Sequence, residues 1–281
     1  MGNKRNIELL VTANNLEEIK SYGEAGADAF LIGDDQFAIK SMGCFTLDAI
    51  AGAIKLANEC GKSLYLLVNA LYHNDELAQL EKFLLTVSEL GIDAVLFEDP
   101  AVYNIVKEQN STLPLHLSSG SMITSSGVIN FWGNRGVRRA ELARELTFEE
   151  IIAVREHTKM ELTVQVYGRT AIFYSKRQLV SNYLEYIDYD ATKTTATNSD
   201  EFLFLREHER PERAFPLMED KHGTHLFSDQ VIDHRALVAD LIKAGINVLK
   251  IDGMFIGKEE MLAVIRDIRK LIDQQLRSEG E

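Results

Sequence analysis

The sequence predicts an α/β fold, a TIM-type (β/α)8 barrel, and two regularities along its 281 residues support that prediction. First, short and continuously apolar runs alternate with amphipathic segments, the pattern of buried parallel strands joined by helices. Second, a glycine that can end a helix in a positive-φ conformation precedes four of the strands, at Gly26, Gly91, Gly136 and Gly245. Eight strands alternating with helices favour a closed barrel over an open sheet.

The first four strands are expected at residues 7–12, 29–32, 63–68 and 94–97, each a short apolar run. Asn15 and Asp75 are good N-cap residues and should begin the first and third helices. The second helix, about 47–60, should stop at Gly61. Pro100 suits the first position of the fourth helix, where its missing N–H has no intrahelical partner to lose.

The last four strands are expected at residues 114–117, 140–143, 162–166 and 248–251. The fifth helix, about 124–132, should end at a glycine, Gly133 or Gly136. Thr147 and Glu150 have the spacing of a capping box, which begins the sixth helix. Apolar residues at helical spacing predict the last helix from Lys258 to about Leu276.

One long segment breaks this alternation. Residues 185–229 exceed an ordinary connection between strand seven and the helix that follows it. We interpret residues 1–281 as a single barrel domain with 185–229 as an insertion over the C-terminal mouth of the barrel. The Thr/Asn/Ser run at 192–199 has a composition typical of disordered segments.

Composition limits the compartment and the partners. The formal charge of −13 predicts repulsion from nucleic acid unless basic residues gather on one face. Cys44 and Cys60 are the two cysteines, too few for a four-thiolate iron–sulfur site and expected to be reduced thiols. No stretch resembles a signal peptide or a membrane span, so a cytoplasmic location without a membrane partner is expected.

The predicted strand ends form a polar mouth of mixed charge. In a (β/α)8 barrel, binding and catalytic groups lie at the C-terminal ends of the strands. The candidate substrate-binding residues on this reading are Asn69, Ser118, Arg144, Glu145 and Lys250. Basic residues are poor helix caps, so Arg144 and Lys250 are predicted to bind an anionic small molecule. The alternative is that each neutralises a carboxylate, with Glu98, Glu145 and Asp252 as candidate partners.

Other motifs carry less information. Asp34, Asp35 and Asp99 also follow predicted strands, but a helix-capping role fits them at least as well. His222 and His225 lie three apart in a glycine loop without a fixed third ligand, so a loop turn is favoured and no metal site is predicted. Motifs of zinc proteases, α/β-hydrolases and P-loops are absent from the sequence, and the catalytic residues stay unknown at this stage.

The stretch from residue 162 to 184 combines a strand, Gly168 and a polar turn. The turn is expected to contain Arg169, Ser175, Lys176 and Arg177, and apolar residues return at Leu179. This stretch resembles the signature of the peptidase U32 (collagenase-like) family, in which H-G-A-L-C is followed by Y-S-G-R-C-L-L-S. Tyr167-Gly168 occupies the position of the family's His-Gly, and residues 174–177 occupy the position of Y-S-G-R. At the positions of the two family cysteines, this chain has Ala171 and Gln178. Segments 24–33, 115–132, 142–151, 215–228 and 243–254 extend the resemblance over most of the chain.

The resemblance implies a barrel and a part in tRNA hydroxylation, namely prephenate-dependent 5-hydroxyuridine formation at the wobble uridine. Family members generally carry an iron–sulfur cluster, whereas this chain resembles a short, cysteine-poor branch found beside a longer cluster-bearing relative. The implied partners are therefore tRNA, such a paralogue and a small anionic ligand, with no cluster in this chain. Arg169, Ser175, Lys176 and Arg177 would contact RNA or the partner. The alternatives are a peptidase, as the hydrolase name suggests, and a non-catalytic scaffold.

Overall fold

The computed structural model describes residues 7–41, 43–187 and 203–278, and the chain divides into two compact units. The barrel unit comprises Met1–Gly168 with Asp233–Glu281, and the second unit comprises Arg169–Ile232. The predicted insertion at 185–229 falls within the second unit, and its location over the barrel mouth stays a prediction. The polar run 192–199 lies outside the described residues.

Eight parallel strands close into a barrel, as the sequence predicts. The described strands are β1 (Glu8–Thr12), β2 (Ala29–Gly33), β3 (Ser63–Val68), β4 (Ala94–Phe97), β5 (Leu115–Leu117), β6 (Arg139–Glu141), β7 (Glu161–Ser175), β8 (Leu203–Arg206), β9 (Ala214–Asp220), β10 (Gly223–Asp233) and β11 (Val248–Ile251). From β1 to β7 each strand pairs with the next, and β11 pairs in parallel with both β1 and β7. This closure confirms the (β/α)8 fold.

Helices lie between strands along the chain, in the second unit as well as in the barrel unit. They are α1 (Leu16–Ala25), α2 (Leu47–Glu59), α3 (Leu77–Glu89), α4 (Pro100–Glu108), α5 (Ser126–Gly133), α6 (Phe148–Glu156), α7 (Leu179–Tyr186), α8 (Val238–Ala244) and α9 (Lys258–Ser278). The Asn15 cap and the Thr147–Glu150 capping box are confirmed. The predicted Asp75 cap is wrong, because α3 begins after Glu76, whose carboxylate turns back to accept from His73 N at 2.7 Å.

The barrel interior is apolar on one side and polar on the other. Alternate residues of a barrel strand point inward, and those of β1 to β4 form an apolar cluster that includes Leu10, Leu31, Tyr65, Leu67 and Leu96. The other strands carry buried polar residues at inward positions, with Val248 on β11 as an apolar exception that belongs to the cluster. These polar residues are His116, Arg139, Glu141, Thr163, Gln165 and Lys250. Buried charges need partners, so this half of the barrel is held by ion pairs at both of its ends.

At the N-terminal end, Arg139 is the centre of a buried network. Its guanidinium contacts Glu8 at 2.6 Å and Glu161 at 2.8 Å, and Tyr65 donates to the same Glu8 carboxylate at 2.8 Å. Burial opposes the charged form of Arg139, but the two carboxylates raise its pKa. His116 packs edge-on against Tyr65, and burial together with the Arg139 charge holds the pKa of His116 well below 6.5.

Two strands differ from the prediction in ways that move functional residues. β6 covers Arg139–Glu141 rather than 140–143, so Arg139 lies on the strand and Arg144 lies in the turn beyond it, three residues after the strand ends. β7 does not end near Gly168 but continues to Ser175. Arg169 and Ser175 are therefore strand residues, and the predicted polar turn is shorter than expected.

Gly168 allows the end of β7 within the barrel unit to approach the end of β11. Its φ is +125°, and a Cβ at this position would overlap the backbone carbonyl of Asp252. We expect Gly168→Ala to lower the free energy of unfolding by about 2 kcal/mol or more, because strained backbone and steric overlap add. Urea unfolding checks this against Gly257→Ala, where an added Cβ meets nothing within 4 Å and φ is not positive. Equal stabilities of the two variants would contradict the close approach.

The second unit has its own internal contacts. β8, β9 and β10 are antiparallel neighbours. The Glu219 carboxylate on β9 accepts from the backbone N–H groups of Val180 and Ser181 at 2.8 and 3.0 Å, at the start of α7. Tyr174 stacks on buried His225 with ring centroids 4.8 Å apart. A carboxylate thus satisfies the N–H groups that the first turn of α7 leaves without intrahelical partners.

Candidate functional site at the barrel mouth

Asn69, Ser118 and Glu98 meet at the C-terminal ends of β3, β5 and β4. Asn69 Nδ2 donates to Glu98 Oε1 at 3.0 Å, and Ser118 Oγ donates to the same oxygen at 3.2 Å. Asn69 Oδ1 accepts from Ile39 N at 2.8 Å, which fixes the orientation of the amide. The structure therefore brings two of the predicted site residues together, around a carboxylate that orders them.

Gly120 closes one side of this group. A Cβ at Gly120 would overlap the carboxylate of Glu98, so the backbone after β5 passes directly against that group. The approach requires the absence of a side chain. Glu98 is consequently held by Asn69, by Ser118 and by the shape of the loop.

Lys250 points into the barrel and is paired. Its Nζ lies 2.9 Å from Glu141 Oε1 and 3.7 Å from Asp252 Oδ2, with side-chain exposures of 5% for Lys250 and 2% for Glu141. Burial alone would raise the pKa of Glu141, but the charges of Lys250 and Arg144 outweigh it and the pKa is lowered. Asp252 is among the partners expected for Lys250 from the sequence, whereas Glu141 is not, because it lies 109 residues from Lys250 in the chain.

Arg144 lies beside this pair in a half-buried turn. Its Nε atom is buried and has no hydrogen-bond partner within the described part of the chain. The guanidinium is near enough to lower the pKa values of both Glu141 and Lys40. A buried N–H of a permanently charged group that lacks an acceptor is suited to an incoming carboxylate or phosphate oxygen.

Lys40 joins the mouth from the loop between β2 and α2, and sequence reasoning missed it. Burial lowers the pKa of Lys40, the charge of Glu98 opposes that shift, and the charges of Arg144 and Lys250 add to it. Its φ is +58°, an uncommon conformation for a residue other than glycine. Strained backbone of this kind is found at binding sites, and no strand end marks the position in the sequence.

These residues define the mouth cluster: Lys40, Glu98, Glu141, Arg144 and Lys250. Glu98 is hydrogen-bonded by Asn69 and Ser118, and Glu141 by Lys250, so both carboxylates already have partners. Lys40 and Arg144 add positive charge near these two carboxylates. The arrangement can bind and orient a small anion through the planar fork of Arg144.

Other predicted site residues lie elsewhere. Glu145 is exposed in the turn after β6. In the second unit, Arg169 donates to the carbonyl oxygens of Ser228 and Asp229 at 2.8 Å each, a contact that braces the sheet. Ser175 Oγ accepts from Arg177 N at 3.2 Å, and the side chains of Lys176 and Arg177 are exposed to solvent. Their predicted contact with RNA or a partner is untested.

The positions of the family cysteines do not fit an iron–sulfur cluster. Cluster ligation requires thiolates, whereas Ala171 lies on β7 and the Gln178 amide donates to Asp220 O at 2.6 Å. Cys44 and Cys60 are exposed thiols. His225 is buried 3.4 Å from Asp220, and the described residues contain no group of three His, Cys, Asp or Glu side chains arranged to hold a metal.

Comparison with known proteins identifies the family. The model of peptidase family U32 matches residues 14–281. The chain belongs to peptidase family U32. The solved structure called the U32 peptidase Mk0906 is similar to this U32 chain in fold. The two superpose with a TM-score of 0.57 at 13% sequence identity, and the match covers 90% of this chain and 94% of the Mk0906 chain. Across the described residues, no helix of this U32 protein has the length and apolar character needed to cross a membrane.

Two relatives from Bacillus subtilis (strain 168) are similar over nearly the whole U32 chain. tRNA hydroxylation protein P2 is 35% identical over 270 residues, which covers 95% of this chain and 85% of the relative. tRNA hydroxylation protein P1 is 26% identical over 95% of this chain but only 63% of its own length. The chain therefore spans less than two thirds of the longer relative.

Proposed function

We propose that this U32 protein takes part in the hydroxylation of tRNA, forming 5-hydroxyuridine at the wobble position. The observation that carries the proposal is the 35% identity to tRNA hydroxylation protein P2 across 95% of the chain, which includes every residue range that builds the mouth cluster. A barrel mouth is where (β/α)8 proteins bind their substrates. The charge of the cluster suits a small anionic co-substrate.

In this proposal, Arg144 binds a carboxylate of that co-substrate, for which prephenate, a dicarboxylate, has suitable chemistry. The Nε atom of Arg144 supplies a donor that is buried from solvent, where a charge-assisted hydrogen bond is strong. The Lys250–Glu141 pair and the Asn69–Glu98–Ser118 group hold the surrounding side chains in place. Lys40 adds a second positive charge on the facing loop.

The proposal assigns the iron–sulfur chemistry to another chain. Ala171 and Gln178 replace the family cysteines, so a cluster-bearing paralogue would supply the cluster as a partner. Bacillus subtilis (strain 168) has two relatives of this chain, of which the alignment covers 85% and 63% of the relative's length. A shorter and a longer relative in one organism are consistent with a pair of proteins that act together. The replacement of the two family cysteines also favours a second candidate function, in which this chain is a non-catalytic scaffold that stabilises its partner.

Deleting the gene and measuring tRNA nucleosides by mass spectrometry tests the proposal. The 5-hydroxyuridine-derived nucleosides should disappear and return when the wild-type gene is supplied on a plasmid. Unchanged nucleoside content in a strain that lacks this gene and keeps its cluster-bearing paralogue would overturn the proposal.

A further inference from the structure

The last helix of the barrel unit has a basic face that the sequence reading did not single out. Arg266, Lys270 and Arg277 are spaced by four and seven residues along α9, which places them on one side of the helix. All three side chains are exposed. We refer to these three residues as the α9 basic face.

The α9 basic face forms no ion pair with any carboxylate of the residues that the structure describes. Among the described residues, none of the three takes part in an ion pair, whereas Arg269 on the same helix contacts Asp28 at 2.8 Å and Asp273 at 3.4 Å. Asp273 lies near the basic face but is engaged by Arg269. Within the described part of the chain, the face therefore presents three cations that an anionic partner could contact.

The α9 basic face also has a shape that could hold an extended anion. Its three side chains line a groove of about 320 Å³ together with Ala25, Arg269, Asp273 and Gln274. From Arg266 to Arg277 the helix advances by about 16 Å at 1.5 Å per residue. That length covers several successive phosphates of a nucleic-acid strand, which repeat about every 3.4 Å along a duplex.

We propose that the α9 basic face binds the phosphate backbone of RNA. A chain with a formal charge of −13 repels RNA over most of its surface, so binding must occur where positive charge is concentrated. Arginine and lysine side chains that lack carboxylate partners bind phosphate without first breaking an ion pair. The identity of that RNA as tRNA rests on the proposed function, whereas the backbone contact itself is independent of sequence.

The test is tRNA binding by the purified protein across a series of salt concentrations. The variant Arg266→Gln/Lys270→Gln/Arg277→Gln removes the three charges and retains good helix formers. Each phosphate contact contributes about 0.7–0.9 to the slope of log affinity against log salt. In the triple variant the magnitude of this slope should therefore fall by about two, and the affinity for tRNA at low salt should fall on the order of thirty-fold. A rescue variant, Arg266→Lys/Arg277→Lys, should retain most of the binding.

A matched control separates local contact from net charge. Lys55→Gln/Lys82→Gln/Lys159→Gln removes three exposed charges from other surfaces of the barrel unit and should bind tRNA nearly as the wild type does. If the α9 variant is folded by circular dichroism and binds with unchanged affinity and slope, or if both triple variants lose binding equally, the inference is wrong. The binding results do not depend on the deletion experiment. If the deletion strain loses the modification but the α9 variant binds tRNA as the wild type does, the inference is wrong and the proposed function stands.

Discussion

Replacing Lys250 by methionine is expected to lower the free energy of unfolding by about 3–5 kcal/mol, because it leaves Glu141 as a buried carboxylate without its cation. Lys250 and Glu141 are almost fully buried and their charged atoms are 2.9 Å apart. Asp252 at 3.7 Å is a more distant partner of the same lysine. Equilibrium unfolding in urea measures the loss, with Lys243→Met as a control at an exposed position.

The charge origin of this loss can be separated from packing. The double variant Glu141→Leu/Lys250→Met removes both charges, and should recover most of the stability that Lys250→Met loses. Recovery by the double variant and a near-neutral Lys243→Met would together establish the pair. If Lys250→Met alone were as stable as the wild type, the buried ion pair would be refuted.

The same loss should depend on pH in a defined direction. The pKa of Glu141 is lowered below 4.5 in the folded wild type, so its contribution is complete above pH 4.5 and is lost as pH falls below that value. Without Lys250, burial dominates and raises the pKa of Glu141, so protonation relieves the unpaired charge. As pH falls, the stability difference between wild type and Lys250→Met should therefore begin to shrink above pH 4.5, where Glu141 protonates in the folded variant, and should shrink further below pH 4.5. A constant difference would contradict the assignment.

Arg139→Met should also cost about 3–5 kcal/mol, at the opposite end of the barrel. Arg139 is paired with both Glu8 and Glu161, and its removal leaves Glu8 in a partly buried position with Tyr65 as its remaining donor. Residues at the N-terminal end of a barrel contribute to stability rather than to chemistry. The variant should lose stability while the mouth cluster keeps its geometry.

The neighbouring arginine provides a close control. Arg138 is exposed, and Arg138→Met should change the free energy of unfolding by no more than about 0.5 kcal/mol. Thermal unfolding of the two variants side by side distinguishes a buried network from a general effect of charge removal. Similar melting temperatures for the two would mean that the Arg139 network is not a source of stability.

The barrel itself was predictable because its signals are local. Gly26, Gly91 and Gly245 all take positive φ values after a helix, as the repeat predicts. The short apolar strands that follow are buried on both faces. Backbone conformation and strand burial are both encoded within a few residues, so the order of elements could be read directly.

The polar half of the barrel interior was harder to predict. Alternating polar residues are the usual mark of a surface, so the strand predicted at 140–143 omits Arg139, and the sequence assigns Glu141 no contact inside the barrel. Their burial depends on partners far away in sequence, Glu8 and Lys250. Lys40 was missed for the same reason, because its place in the mouth depends on how a loop folds back.

The most direct test of the mouth as the functional site is the 5-hydroxyuridine content of tRNA in a deletion strain that carries Arg144→Gln. Loss of a hydrogen bond to a charged group costs about 1.5–3 kcal/mol, which corresponds to a ten- to hundredfold loss of binding. We predict that Arg144→Gln accumulates to wild-type levels and leaves at most a tenth of the modification, whereas Arg138→Gln restores it fully. Full restoration by Arg144→Gln would contradict the placement of the site.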